Sequence, residues 1–456
     1  MTAFDSLKKY VCGKNITVVG IGISNMPLIR FLVKNGANVT ACDKKTQDEL
    51  GERAEELTNL GVSLVCGESY LDKLSGDIIF KTPGMRFDHP ALEHARSNGS
   101  VVTSEMEVFF EVCPAKIIAV TGSDGKTTTT TLIYKILTES GFKCHLGGNI
   151  GHPLLCETDS IDKNDIVVLE LSSFQLHTMK KSADVAVITN ISPNHLDMHK
   201  SYEEYIDAKK NIYLHQSEKG VLVVNKSDKM SFSCAESAHG EVRTFGYDAD
   251  CSVYEKDGSI FAFGEKIMDK SIIKVPGEHN VQNYMAAIAA AYPLAKKKSI
   301  IKVAETFGGV EHRIEFVREL DGVKYYNSSI DSSPNRTINT LKVFDKVILI
   351  AGGKDKGIPY DALGEHLAKK TKHLVLIGKT APIIKKTLDD YTQKTGLGKD
   401  IAVDFCKTYD EAVMCARRAA KPGDVVLLSN ASTSFDMFSN FEERGNLFKS
   451  IVNSLK

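Results

Sequence analysis

The 456-residue chain is too long for one hydrophobic core, and the usual length prior divides it into about three domains. Its hydrophobic content of 42% and charged content of 25% fit a globular protein, and a formal net charge of −1 argues against nucleic acid or an anionic membrane as partner. No apolar run approaches the ~20 residues of a membrane span, Met1–Tyr10 carries no signal-peptide core, and ten cysteines without a Cys-x-x-Cys pair indicate neither a zinc site nor a disulfide framework, so reduced thiols in a cytoplasmic protein are the expectation.

Strand-like runs alternate with helical patterns along the whole chain, which predicts an α/β fold with mostly parallel sheets. Three apolar strands run straight into glycine turns, at Ile16–Gly22, Ile117–Gly125 and Val347–Gly353. They are too unlike and too widely spaced for a solenoid repeat, and point to three nucleotide-binding-type domains. In the first, Gly20-Ile21-Gly22-Ile23-Ser24-Asn25 follows a dinucleotide-binding turn, with Asn25 at the third glycine position. Asp43 closes the next predicted strand (Asn38–Cys42), where an acidic residue meets a ribose hydroxyl. A dinucleotide or any nucleoside diphosphate fits that pattern. Lys44 and Lys45 fit phosphate contacts or plain surface, and the Ile78–Phe80 strand leads to Lys81-Thr82-Pro83-Gly84 on the same crevice.

The second turn is the most specific. Ile117–Val120 reads as a buried strand, Gly122-Ser123-Asp124-Gly125-Lys126-Thr127-Thr128 follows, and Leu132, Ile133, Ile136 and Leu137 recur at helical spacing. Strand, glycine loop, Lys-Thr and helix make the layout that holds a triphosphate. Backbone N–H groups cradle the phosphates, the lysine supplies a cation and the threonine a magnesium ligand. The spacing between the glycines is shorter than in the general pattern. Gly147-Gly148-Asn149-Ile150-Gly151 comes next, then a strand at Ile166–Leu169 ending in Glu170, where magnesium is usually held beside such a loop.

The Val185–Thr189 strand precedes Asn190-Ile191-Ser192-Pro193-Asn194-His195-Leu196-Asp197-Met198-His199, two histidines and an aspartate just beyond a strand end. Magnesium prefers oxygen, so His195 as a direct ligand would be unusual. Tyr202–Ile212 reads as a helix whose Lys209 and Lys210 are, from spacing, exposed. Residues 221–275 alternate in short stretches that suggest hairpins. Asn280 and Asn283 open an alanine-rich helix at Tyr284–Tyr292, as caps or as readers of a base edge, capping being the simpler reading. Gly308-Gly309-Val310-Glu311-His312-Arg313 resembles a hinge whose arginine could reach phosphate, and strands at Val347–Ile350, Leu374–Ile377 and Val425–Leu428 build the last domain.

Together these stretches resemble the Mur ligase family of ATP-dependent amino-acid ligases. Glu170-Leu-Ser-Ser-Phe-Gln-Leu176, Gly147-Gly-Asn-Ile-Gly151, Asn190-x-x-x-x-His195-Leu-Asp-x-His199 and Asn440-Phe-Glu-Glu-Arg-Gly445 narrow the likeness to the branch that adds D-glutamate, over essentially the whole chain. The resemblance implies a Rossmann-like UDP-sugar domain at 1–100, a P-loop ATPase domain at 101–310 and a Rossmann-like amino-acid domain at 311–456. It implies ATP, UDP-N-acetylmuramoyl-L-alanine and D-glutamate as substrates, two magnesium ions, a monomer, and a place in cytoplasmic peptidoglycan precursor synthesis. The UDP substrate would meet Ile23, Ser24, Asp43, Lys44, Lys45, Thr82, Gly84, Asn149 and His195. ATP would meet Gly122 to Thr128, Asn283, Arg313 and Ser328, and metal would lie at Thr127, Glu170, His195 and Lys209, the lysine carrying carbon dioxide as a carbamate. Catalysis would rest on Lys126, Glu170, His195 and Lys209, and D-glutamate on Ser332, Lys356, Ser434 and Phe441.

Three positions depart from the family pattern. Ser328 stands where an aspartate holds the ATP ribose, Asp331 where a small residue is usual, and Asn430 where a proline is common. An extra carboxylate at 331 would repel a triphosphate if it faced one. Two readings follow besides an active D-glutamate ligase: a catalytically impaired nucleotide- or UDP-sugar-binding relative, and a ligase of this type for another amino acid.

Overall fold

A computed structural model of the protein describes residues 2–22, 25–151, 153–193 and 199–456. Ile23, Ser24, His195 and the rest of 194–198 lie outside the described residues. Three α/β sheets are present, as the three glycine turns predict. The chain falls into two compact units, residues 1–270 with 281–303 and residues 271–280 with 304–456, so the first two sheets share one unit.

The first sheet contains β1 (Asn15–Val19), β2 (Asn38–Asp43), β3 (Ser63–Cys66), β4 (Ile78–Phe80) and β5 (Val101–Thr103). All pairings are parallel and the order is β3-β2-β1-β4-β5. Chain direction across the sheet reverses between β1 and β4, which is where an open parallel sheet forms its ligand crevice.

The second sheet contains β6 (Lys116–Thr121), β7 (Cys144–Gly148), β8 (Ile166–Glu170), β9 (Val185–Ile188), β10 (Val221–Asn225), β11 (Glu241–Gly246), β12 (Val253–Lys256), β13 (Ser259–Ala262) and β14 (Glu265–Asp269), in the order β14-β13-β12-β11-β10-β9-β6-β8-β7. Strand β6 is an interior strand, flanked by β9 and β8, and all three are buried on both faces, which is why they read as unbroken apolar runs. The hairpins expected at 221–275 are found only from β12 onward; β10 and β11 extend the parallel sheet. Their apolar runs are short, and length does not separate a buried parallel strand from a hairpin arm. One apolar core runs from Phe4 through Phe109, Leu155 and Leu169 to Tyr213, joining the layers of both sheets.

The second unit carries β15 (Glu315–Leu320), β16 (Val323–Asn327), β17 (Val347–Ala351), β18 (Thr371–Ile377), β19 (Ala402–Cys406) and β20 (Val425–Leu428), in the order β15-β16-β20-β17-β18-β19. Only the β15–β16 pair is antiparallel. Helices cover both faces, burying Leu349, Leu376 and Leu427 on one side and Ile350, Val375 and Val426 on the other. Among the described residues no helix is long and apolar enough to cross a membrane.

Candidate active site

The glycine turn after β1 is held by side chains that follow it. Asn25, at the third glycine position, donates from Nδ2 to the carbonyls of Val19 at 3.1 Å and Gly20 at 2.9 Å. Asp43 accepts the Ile21 N–H at 2.6 Å and the Lys45 N–H at 2.9 Å, so its carboxylate pins both loops at the strand ends. Gly20 has φ +94°, and a Cβ there would stand 3.3 Å from Thr82 Cβ, which brings the β1 and β4 turns together. Lys44 and Lys45 are exposed, as surface residues would be. Beside Thr82 and Gly84 opens a cavity of ≈ 440 Å³, walled also by Tyr70, Met85, Arg86 and His89.

The loop after β6 takes the conformation its glycines permit. Gly125, φ +77°, precedes the Lys126–Glu139 helix, and a Cβ on it would fall 2.4 Å from Asn283 Oδ1. Asn283 is therefore no helix cap. It is buried in the Glu278–Ala291 helix and accepts Thr129 Oγ1 at 3.2 Å, behind the phosphate loop. Two residues that the sequence reading passed over complete the cradle. Asn190 takes the Asp124 N–H on its side-chain oxygen at 3.0 Å, and the Tyr205 hydroxyl meets Ser123 Oγ at 3.0 Å. Asn190 stood in a quoted motif, whereas nothing in sequence pairs positions 123 and 205.

Lys126 folds back so that Nζ donates to the carbonyls of Gly122 at 3.0 Å and Ser123 at 2.9 Å. Lys209 donates to the same Gly122 carbonyl at 2.8 Å and to Thr121 Oγ1 at 3.3 Å. The expectation that Lys209 is exposed is wrong: it is 1% exposed, while Lys210 is half-buried and pairs with Asp207. Burial, and next the Lys126 charge, hold the Lys209 amine well below the usual lysine range. Its Nζ makes two hydrogen bonds, and the Tyr205 ring lies 4.6 Å away.

Glu170, at the end of β8, is 2% exposed. Its Oε1 accepts Asn149 Nδ2 at 2.9 Å, and Oε2 has no partner among the described residues. An orphaned buried carboxylate oxygen costs free energy unless something fills it, and an oxygen-seeking cation suits it. Thr127 sits in the first turn of the helix on the same loop. These groups fit magnesium, although no three His, Cys, Asp or Glu residues cluster as a metal site among the described residues.

In the second unit the loops after β16, β17 and β20 meet at the sheet's reversal point. Lys354 and Thr433 exchange backbone hydrogen bonds at 2.9 and 3.0 Å. Ser434 is buried, Lys356 exposed, and Phe441 packs edge-on against His312 with ring centres 5.9 Å apart. Ser332 donates to the Ile330 carbonyl at 3.2 Å, and half-buried Arg313 has its N–H on the Val310 carbonyl at 2.9 Å. Ser328 is fully buried, its Oγ accepting the Ile314 N–H at 3.3 Å. Asp331 does not face outward: it accepts Thr340 Oγ1 and Ser429 Oγ, each at 2.7 Å, and burial raises its carboxyl above the ordinary value. Asn430 is spent on the Gly352 carbonyl at 3.0 Å and the Tyr409 hydroxyl at 3.1 Å. The departures at 331 and 430 are interior substitutions.

A phosphate loop at the end of an interior parallel strand, followed by a buried carboxylate and a buried lysine, defines a nucleotide-dependent α/β protein. Three family models match in order: the Mur ligase MurD-like N-terminal domain at 14–104, the Mur ligase middle domain at 120–291 and the Mur ligase glutamate ligase domain at 312–431. The chain belongs to the Mur ligase family. The UDP-N-acetylmuramoylalanine–D-glutamate ligases of Ruminiclostridium cellulolyticum and Acetivibrio thermocellus are 54% and 55% identical to it, covering 99% and 100% of this chain and 99% of each of theirs. That of Clostridium botulinum is 51% identical over 99% of both chains. Among solved structures, the fold is shared with UDP-N-acetylmuramate–alanine ligase MurC of Thermotoga maritima, at TM-score 0.56 and 21% identity over 97% of this chain and 100% of that one. MurF of Acinetobacter baumannii gives 0.57 and 17% over 98% and 92%.

Proposed function

We propose that this chain joins D-glutamate to UDP-N-acetylmuramoyl-L-alanine with conversion of ATP to ADP and phosphate, in the cytoplasm, as a step of peptidoglycan precursor synthesis, and acts as a monomer. The observation that carries the reading is the grouping of Lys126, Lys209 and Glu170 around one phosphate loop, in a chain half identical to D-glutamate ligases. The domains run 1–100 for the UDP-sugar, 101–310 for ATP and 311–456 for the amino acid.

Substrate binding follows the strand ends. Ile23, Ser24, Asp43, Lys44, Lys45, Thr82 and Gly84 hold the UDP moiety, with Asn149 and His195 at the muramoyl-alanine end. Gly122 to Thr128 wrap the ATP phosphates, Asn283 and Arg313 serve ATP from further along the chain, and Ser328 stands at the ribose position with its hydroxyl on the Ile314 N–H and its own N–H on the Leu428 carbonyl. Ser332, Lys356, Ser434 and Phe441 receive D-glutamate.

The alanine carboxylate oxygen attacks the γ-phosphorus, the bond to the β-γ bridging oxygen breaks, and ADP leaves an acyl phosphate. A carboxylate is already a competent nucleophile, so the protein's task is alignment and charge neutralisation. Lys126 releases the Gly122 and Ser123 carbonyls and turns its cation to the transferring phosphoryl group. The D-glutamate amine then attacks the acyl carbon, loses a proton, and phosphate departs. Bound magnesium would neutralise charge on the phosphate oxygens, held by Thr127, Glu170 and His195. Burial disfavours the charged form of the Lys209 amine; in its neutral form the amine can add to carbon dioxide, forming a C–N bond and releasing a proton, which turns a donor into an oxygen ligand.

The deciding assay is phosphate release with ATP, magnesium and UDP-N-acetylmuramoyl-L-alanine, with and without D-glutamate. Release that depends on D-glutamate is expected. Its absence sinks the proposal, and faster release with another amino acid reassigns the last substrate.

A further inference from the structure

The turn after β4 and the Tyr202–Lys210 helix are remote in sequence and joined by one side chain. Arg86 stands two residues past Gly84 and four past Thr82. Its guanidinium forks onto Glu204, Nη2 to Oε1 at 2.8 Å and Nη1 to Oε2 at 3.2 Å. Toward its own turn it donates from Nε and Nη2 to Asp88 at 2.8 and 3.1 Å. Lys200 closes the far side, its N–H on Glu204 Oε2 and its Nζ on Asp88 Oδ2, both at 2.5 Å. His177 Nε2 and His199 Nδ1 stand 3.6 and 3.7 Å from the Glu204 carboxylate, and His199 is fixed from behind by Ser173 Oγ at 2.9 Å.

Two cations meet two carboxylates here, with Arg86, Asp88 and Glu204 side chains only 25%, 20% and 19% exposed. The Arg86 contact holds the Glu204 carboxyl down to about 2, so it stays ionised across the neutral range. A bidentate, partly buried network fixes direction as well as distance, unlike an exposed pair. Each anchored segment carries part of the proposed site. The turn holds Thr82 and Gly84, Lys200 follows directly on the stretch containing His195, and Glu204 lies five residues before Lys209.

We propose that Arg86 is a positioning residue for the ligase reaction, which through Glu204 and Asp88 sets the UDP-sugar turn in register with the helix that carries Lys209. The inference rests on the reading of those residues given above. Arg86 acts through its neighbours and touches no reacting atom. A shift of roughly an ångström between the carboxylate and the phosphoryl group it attacks costs up to about a hundredfold in rate.

The test compares wild type with Arg86→Met, Arg86→Lys, Glu204→Gln and the Arg86→Met/Glu204→Gln double variant, measuring kcat and the KM of each substrate. Arg86→Met raises the KM of UDP-N-acetylmuramoyl-L-alanine and lowers kcat about tenfold each, and leaves the D-glutamate KM within about twofold. Arg86→Lys, with a point charge in place of a fork, falls between wild type and Arg86→Met. The double variant is no worse than Arg86→Met, because one linkage is broken in both. Arg30→Met, which removes the exposed pair with Glu56 in the same unit, leaves all constants unchanged. Wild-type constants in Arg86→Met and Glu204→Gln, losses that multiply in the double variant, or an equal rise in the D-glutamate KM each overturn the proposal. If Arg86→Met does not fold, Arg86→Lys and Glu204→Gln carry the same comparison. If wild type shows no D-glutamate-dependent turnover, the parent reading fails, and calorimetric binding of the UDP-sugar to the same variants decides this one by the same tenfold criterion.

Discussion

The phosphate loop after β6 and the loops at the reversal point of the last sheet both bury charge, and they treat it in opposite ways. Around Gly122 two lysines crowd one carbonyl, and Glu170 Oε2 has no partner among the described residues. In the second unit, Asp331 takes two hydroxyls on Oδ2, and Arg444, 0% exposed, gives Nε to Ser329 Oγ at 2.9 Å, Nη1 to the Ser432 carbonyl at 3.1 Å and Nη2 to the Ser329 carbonyl at 2.6 Å. A buried charge whose bonds go to its own loops stiffens those loops. One left short of partners stores an affinity that an incoming ligand can satisfy. The first region holds reactive groups, and the second holds a shape.

Substitutions can break this contrast. Lys126→Ala is expected to lower kcat by at least ~10³-fold while UDP-sugar affinity, read by calorimetry, stays within about twofold, since the proposed function gives this cation to the transferring phosphoryl group and not to the UDP-sugar. Equal loss of UDP-sugar affinity would falsify the separation of the two sites. Lys209→Ala and Lys209→Arg should each cost about a hundredfold in kcat, because neither supplies an oxygen ligand; substantial turnover by the arginine variant would show that position 209 works as a cation. At the other pole, Asp331→Ala should lower stability by about 2 kcal/mol by removing the acceptor of the Thr340 and Ser429 hydroxyls, of which only Ser429 keeps another partner among the described residues, Thr337 Oγ1, with the ATP KM nearly unchanged. Thermal unfolding beside steady-state kinetics checks it, and a large KM change with normal stability would reverse the assignment.

The smallest expected effect sharpens the last point. Burial raises the folded-state pKa of Asp331 above the ordinary aspartate value, so its contribution to stability is fully present below the unfolded pKa and is lost as pH rises through the folded one. Asp331→Asn should flatten that decline by roughly 1 kcal/mol or less. Denaturant unfolding from pH 4 upward reads the slope, and an unchanged slope means the carboxyl titrates normally.

The same contrast explains what could be read in the sequence. Strand ends, glycine turns and Glu170 were legible because each depends on neighbours in the chain: an apolar run, a positive φ, a carboxylate at the last strand residue. Lys209 was not legible from spacing, which sent it to solvent, because its burial depends on the Gly122 carbonyl 87 residues away; only the family resemblance marked it. Asn283 read as a cap for the same reason, its partner Thr129 lying 154 residues earlier. Asp331 looked like a charge facing a nucleotide until Thr340 and Ser429 claimed it. The Arg86–Glu204 fork spans 118 residues and leaves no trace in local pattern.

Gly125 has one more lesson. The space its missing Cβ would fill belongs to the Asn283 side-chain oxygen, at 2.4 Å, so the second glycine of the phosphate loop answers to a distant helix as well as to its own left-handed φ of +77°. The loop is not a transplantable cassette. Grafted into another scaffold as a contiguous peptide, Gly122–Thr127 would lose the wall against which it is moulded.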